Sequence, residues 1–289
     1  MLKARSSAPT ALASDPWLGF RREDALLVEN EAGAAPAIII CDHASNMIPA
    51  PLAGLGLAPE DLERHMAWDP GALGVARELS RRLDAPLVAG RVSRLVIDTN
   101  RDPDLFDSIP ERSEATEIPG NAGLTQAERV ARVRSVYSPF HEAVAALVRR
   151  KCRSSAAGLI GVHTFTPVYE MQRRPWHVGI LFDRDRRLAA LLVNHFRAQP
   201  NLIVGENEPY SPRDRVYHSL DRHGQANGLP SVMIEIRNDL VATPPLQARW
   251  GGRLAAAIAG ALPAALATEP DQPAVRACQT DNSFHRGTT

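Results

Sequence analysis

Apolar residues in this chain fall into short unbroken runs, separated by longer stretches in which they recur every three or four positions. Runs near 36–41, 86–98, 158–163, 177–182, 202–205 and 231–236 have the length and β-branched content of buried strands. Stretches near 71–83, 125–150, 186–198, 215–227 and 241–267 carry the helical period instead. Strands that are apolar throughout, alternating with helices, predict an α/β domain whose mostly parallel sheet is covered by helices on both faces.

Local chemistry sharpens several boundaries. Asp69-Pro70 fits a capping residue followed by proline at the first helical position. Thr125 and Glu128 have the spacing of a capping box, and Pro139 is expected to kink the helix they open. Residues 99–123, with prolines and many charges, read as a long loop of the kind that forms binding elements or lids. Residues 1–20 and 268–289 lack periodicity and read as tails, which leaves 21–267 as a single domain.

Composition narrows the classes of function. The 289 residues are 44% hydrophobic and 23% charged, with 33 basic residues balancing 33 acidic ones. Such an interspersed, neutral surface offers no electrostatic footprint for nucleic acid or anionic lipid. No apolar run approaches the roughly 20 residues that span a bilayer, and residues 1–20 lack the apolar stretch of a secretory signal. A cytoplasmic protein acting on a small molecule is the expectation. Three cysteines without CxxC spacing argue against a disulfide framework and a thiolate zinc site, and Cys41 reads as a small residue closing a buried strand.

Candidate chemistry gathers where strands end. His43 follows Ile38-Ile39-Ile40-Cys41-Asp42, His163 closes Gly158-Leu159-Ile160-Gly161-Val162, and Asn100-Arg101 follows Leu95-Val96-Ile97-Asp98. Ligands of open α/β sheets collect beyond the carboxyl ends of the strands, so three separate segments would deliver polar groups to one edge. Neutral imidazoles hold divalent metals, and Asn46, three residues after His43, could turn toward the same ion. The other reading of Asp42, His43, Ser45 and Asn46 is a hydrogen-bonded turn. Glu235, inside the apolar run Ser231-Val232-Met233-Ile234-Glu235-Ile236-Arg237, is either paired with Arg237 or a general base beside a metal. Arg101 can hold a substrate carboxylate or be neutralised by Asp98 or Asp102. Asp69 reads as a cap or a site carboxylate. Arg174 and His177, in Arg173-Arg174-Pro175-Trp176-His177, form a solvated turn or reach an acidic substrate.

Taken in order, these segments resemble the N-formylglutamate amidohydrolase (deformylase) family. The stretches that carry the resemblance are Cys41-Asp42-His43-Ala44-Ser45-Asn46, His65-Met66-Ala67-Trp68-Asp69-Pro70-Gly71-Ala72, Arg94-Leu95-Val96-Ile97-Asp98-Thr99-Asn100-Arg101, His163-Thr164-Phe165-Thr166-Pro167, Arg174-Pro175-Trp176-His177, Glu206-Asn207-Glu208-Pro209-Tyr210 and Ile234-Glu235-Ile236-Arg237-Asn238-Asp239-Leu240. The resemblance implies a three-layer α/β sandwich around a mixed, mostly parallel sheet, similar to the zinc carboxypeptidases. It implies Zn²⁺ or another divalent metal, and hydrolysis of the formamide bond of N-formyl-L-glutamate, a step of histidine degradation. His43 and His163 then match the histidine ligands, and Asn46 falls where the carboxypeptidase pattern has a glutamate, with Asp69 the alternative third ligand. Glu235 matches the general base and Arg101 the group that polarises the carbonyl. Asn100, Arg101, Asp69, Arg174, His177 and Arg237 are the substrate-binding candidates. Other N-acyl amino acids or short peptides, and a metal-free binding protein of the same fold, are the alternatives.

Overall fold

The computed structural model describes residues 21–154 and 157–270, so the expected tails lie outside the described residues apart from 268–270. Seven strands form one sheet: β1 (Leu26–Glu29), β2 (Ala37–Cys41), β3 (Leu87–Gly90), β4 (Gly158–Phe165), β5 (Val178–Leu181), β6 (Val204–Glu206) and β7 (Ser231–Arg237). Their spatial order is β1-β3-β2-β4-β7-β5-β6. The block β3-β2-β4-β7 is parallel throughout, β1 and β5 join it antiparallel, and β6 runs parallel to β5. The sheet is therefore mixed and mostly parallel.

Helices cover both faces, as unbroken apolar strands require. Besides one turn of helix at Pro59–Leu62, the helices are α1 (Ala72–Leu83), α2 (Gln126–Arg132), α3 (Ser138–Ser154), α4 (Arg187–Arg197), α5 (His218–His223) and α6 (Pro244–Ala267). On one face α1 buries Ala72, Val75, Ala76 and Leu79, a helical stripe, beside α4 and α6. On the other, α3 buries Phe140, Val144, Leu147 and Val148. Strand β2 shows the two-residue period that serves both layers: Ala37, Ile39 and Cys41 face the first, Ile38 and Ile40 the second. Helix α6 is long and apolar enough to cross a membrane, but it packs its Trp250, Leu254 and Ile258 into the first layer.

Three local expectations change. The apolar run 86–98 is a strand only to Gly90; beyond it Val92, Leu95, Val96 and Ile97 bury themselves as turns against Leu55, Ile118 and Tyr137. A wide π turn over Val133–Tyr137 joins α2 to α3, so the irregularity falls just before Pro139, which sits in the first turn of α3. Asp69 does not cap α1. The helix starts from Gly71 at φ 85°, without a side-chain cap.

A Cβ on Gly71 would lie 2.6 Å from the Val241 carbonyl oxygen, and its left-handed backbone disfavours any side chain. Gly71→Ala is expected to destabilise the protein by about 1–3 kcal/mol through strain and overpacking. Urea denaturation would measure it, and an unchanged midpoint would refute it.

Candidate active site

Strands β3, β2, β4 and β7 end at the same sheet edge, and there the alternation of faces places three polar residues together. Leu159 of β4, Met233 of β7 and Ile40 of β2 face the second layer. Two-residue steps onward carry His163, Glu235 and Asp42 onto that face. Register pairs Glu235 with His163 on one side and with Gly179 of β5 on the other. A Cβ at Gly179 would strike the Glu208 carbonyl, so only glycine lets that segment pass beside the acid.

Loops complete the cluster. Asp69 places Oδ2 2.9 Å from His163 Nδ1 and 3.5 Å from His43 Nδ1. His43, Asp69 and His163 are all buried, with one potential ligand atom from each within 4.8 Å of the others. Four donors around zinc at its usual bond lengths stand about 3.3 Å apart, so the two measured separations bracket the expected value. His43 Nδ1 is buried without a hydrogen-bond partner. Two imidazoles and a carboxylate are a common zinc set in hydrolases, leaving one position open. The residues therefore fit a divalent cation.

The outer partners orient these side chains. Asp98 Oδ1 lies 2.7 Å from His43 Nε2 and also accepts from the Asn100 backbone N–H at 2.8 Å. This fixes the hydrogen of neutral His43 on Nε2 and leaves Nδ1 as a lone pair. Arg94 forms an ion pair with Asp69 Oδ1, and His65 Nδ1 lies 3.4 Å from the same oxygen. Burial, reinforced by Arg94, pushes the His43 imidazole down to about 4, and burial holds His65 well below the ordinary histidine value, so both are neutral near pH 7. Burial alone would raise Asp98, but His43, Arg94 and Arg101 outweigh it and keep the carboxyl low. Glu235 is the contrast. Burial raises its carboxyl, and its buried Oε2 has no hydrogen-bond partner.

These groups open onto a cavity of about 340 Å³ lined by His43, Asp69, Arg94, Arg101, His163 and Glu235 among others. Its far wall comes from the loop 99–123, through Asp107, Arg112 and Glu114, with Tyr169 and Tyr210 alongside.

The structure brings together His43, His163, Asp69, Asn100, Arg101 and Glu235. It does not bring Asn46, whose amide donates to the Leu62 carbonyl at 3.0 Å and to Glu63 at 3.1 Å. Asp69 stands where the sequence reading had looked to Asn46. Asn100 keeps its place in the wall, but its side chain is spent on Val216 and Ser219. Arg101 is held by Asp107 at 3.1 Å and by the Asp214 carbonyl at 3.3 Å. Arg174 lies behind the wall, its guanidinium 4.6 Å from the Tyr169 ring centre and 4.7 Å from that of Tyr210. His177 and Arg237 do not line the cavity: His177 Nδ1 accepts from the Ile203 N–H, and Arg237 pairs with Asp239 rather than Glu235. Arg94, His65 and Asp98 join the site without having been assigned to it. Their signal was present, since all three stand in the stretches that carry the family resemblance.

A family model described as N-formylglutamate amidohydrolase matches residues 35–242. The structure of gene product Atu2144 from Agrobacterium tumefaciens is 42% identical, with a TM-score of 0.81 over 84% of this chain and 96% of that one. N-formylglutamate amidohydrolase from Ralstonia eutropha, at 20% identity, shares the fold with a TM-score of 0.60 over 82% of this chain and 99% of that one. No curated protein matches. With the family model spanning the sheet from β2 to β7 and every residue of the cation cradle, the chain belongs to the N-formylglutamate amidohydrolase family.

Proposed function

We propose that this protein is a metal-dependent amidohydrolase that cleaves the acyl C–N bond of an N-acyl amino acid, N-formyl-L-glutamate or a similar compound. The observation that carries this reading is Glu235: a carboxylate buried to 4% exposure, lacking an ion-pair partner among the described residues, on the strand beside His163. A buried acid left unpaired costs several kcal/mol unless it serves a ligand or a reaction.

His43, Asp69 and His163 would hold the ion, which when bound supplies Lewis-acid polarisation of the carbonyl and acidifies water. Glu235 takes a proton from the attacking water as the new C–O bond forms at the acyl carbon. It then returns that proton to the nitrogen as the C–N bond breaks, leaving a carboxylic acid and an amine. Arg94 is better placed than Arg101 to stabilise charge on the carbonyl oxygen. Both arginines line the cavity and each pairs with a carboxylate, Arg94 with Asp69 and Arg101 with Asp107, but Arg94 has a buried Nε left without a partner. Arg174, behind the cavity wall, donates to the Tyr210 hydroxyl at 3.0 Å and would hold Tyr169 and Tyr210 in place beside the substrate.

The test is formate release from N-formyl-L-glutamate beside a panel of N-acyl amino acids, with and without chelator. Turnover of at least one substrate, abolished by chelator and restored by zinc, is expected. No release from any of them by zinc-loaded protein, or release indifferent to chelator, would overturn the proposal.

A further inference from the structure

The arginines that line the cavity differ in what already neutralises them. Arg94 pairs with Asp69, and Arg101 lies 3.1 Å from Asp107 and 3.5 Å from Asp98. Arg112 stands instead on a hairpin in which Arg112–Ser113 and Thr116–Glu117 run antiparallel, with Arg112 opposite Glu117. Its Nε lies 3.3 Å from Glu117 Oε1, yet the guanidinium makes no hydrogen bond among the described residues. The two side chains are 62% and 69% exposed, and Glu117 does not line the cavity. An exposed pair of this kind contributes little and is readily exchanged. The hairpin itself is anchored from outside. Arg64 donates to Thr116 Oγ1 at 2.8 Å and to Glu114 Oε2 at 3.0 Å, which neutralises the acid that lines the cavity beside Arg112.

From this geometry we infer that Arg112 is a specificity-determining residue: it takes a carboxylate on the substrate's side chain, and Glu117 holds that place until the substrate arrives. The inference rests on the function proposed above. The cation cradle and Glu235 fix where the acyl C–N bond must lie, and the hairpin belongs to the far wall. A substrate that spans the cavity therefore brings its remote end to Arg112. There a guanidinium can donate two parallel N–H bonds to a carboxylate, which a carboxamide cannot accept in the same way. Arg94 could do this only by giving up Asp69, which is 1% exposed, and Arg101 only by giving up acids that are mostly buried. Leaving a buried acid unpaired is costly, whereas releasing Glu117 returns it to water.

N-formyl-L-glutamate and N-formyl-L-glutamine share a shape and differ in that one charge. Their binding is measured by isothermal titration on protein carrying Glu235→Gln, so that neither is consumed. The acidic compound is expected to bind roughly 10–100-fold more tightly, the range of a charge-assisted hydrogen-bonded contact. Arg112→Ala brings the two affinities together, and Arg112→Lys, which keeps the charge but not the fork, retains part of the difference. Glu117→Gln strengthens binding of the acidic compound by about two- to fivefold, since it removes a competing exposed partner. It does nothing in the Arg112→Ala background, because Glu117 acts through Arg112. Both side chains are exposed, so these variants keep the fold. Equal affinities for the two compounds, no binding of either, or a preference that survives Arg112→Ala would overturn the inference. Selective binding that depends on Arg112, with no formate released by zinc-loaded wild-type protein, would count against the proposed reaction alone.

Discussion

Glu235→Gln is expected to lower kcat by about 10²–10⁴-fold, the range that a positioned general base contributes. The substitution keeps the size and planar shape of the side chain, so the fit against Gly179 and His163 on the neighbouring strands survives. What it removes is the only feature the mechanism uses, a carboxylate able to take and return a proton. Zinc content should be unchanged, because the cradle is formed by His43, Asp69 and His163. Elemental analysis beside initial rates would decide the matter. Wild-type turnover in the variant would exclude Glu235 as the base, and loss of zinc would mean that it is a ligand instead.

The second large effect concerns the third ligand. Asp69→Asn is expected to reduce zinc affinity by more than the roughly 10–100-fold that outer partners of metal ligands cost, and turnover should fall with it. Asp69 Oδ2 faces both Nδ1 atoms of the cradle, so neutralising it removes the one anionic donor. The amide is preferred to alanine here, because its oxygen can still accept from the Arg94 guanidinium, whereas deleting the side chain would leave that buried group without an acceptor. Asn46→Ala, by contrast, should leave zinc affinity within about twofold, since its amide is turned to Leu62 and Glu63. Isothermal titration of both variants makes the comparison direct. A strong loss in Asn46→Ala with none in Asp69→Asn would reverse the assignment.

How far the sequence could be read depended on how local each determinant was. The Thr125 capping box is visible in four residues, and it forms as read: Glu128 N–H donates to Thr125 Oγ1, and Glu128 Oε2 accepts from the Thr125 N–H. The same holds for β2, β4 and β7, whose apolar runs are long enough to need cover on both faces. His43 and His163, at the ends of two of those runs, were therefore legible as groups arriving at one edge. Arg94 and Asp98 were harder to assign because Val92, Leu95, Val96 and Ile97 look like strand. They are buried for a different reason, as turns that close a second apolar cluster. Hydrophobicity records that a residue is buried, not which backbone path buries it. Asn46 failed in the opposite way. Its spacing from His43 suited a shared ligand, but the chain turns the amide toward Leu62.

By itself the sequence determined the α/β layering, the parallel centre of the sheet, the arrival of His43 and His163 at its edge and the burial of Glu235 within a strand. These follow from periodicity and burial, which act between near neighbours along the chain. Only the tertiary structure decided that Asp69 faces both His43 and His163, that Asp98 orients the His43 imidazole, and that Arg94 pairs with Asp69 while its buried Nε keeps no partner. Each of those outcomes depends on angstrom-scale contacts between segments far apart in the chain, such as Asp69 with His163 and His43 with Asp98. Such contacts are set when the layers pack, and no local pattern of residues encodes them.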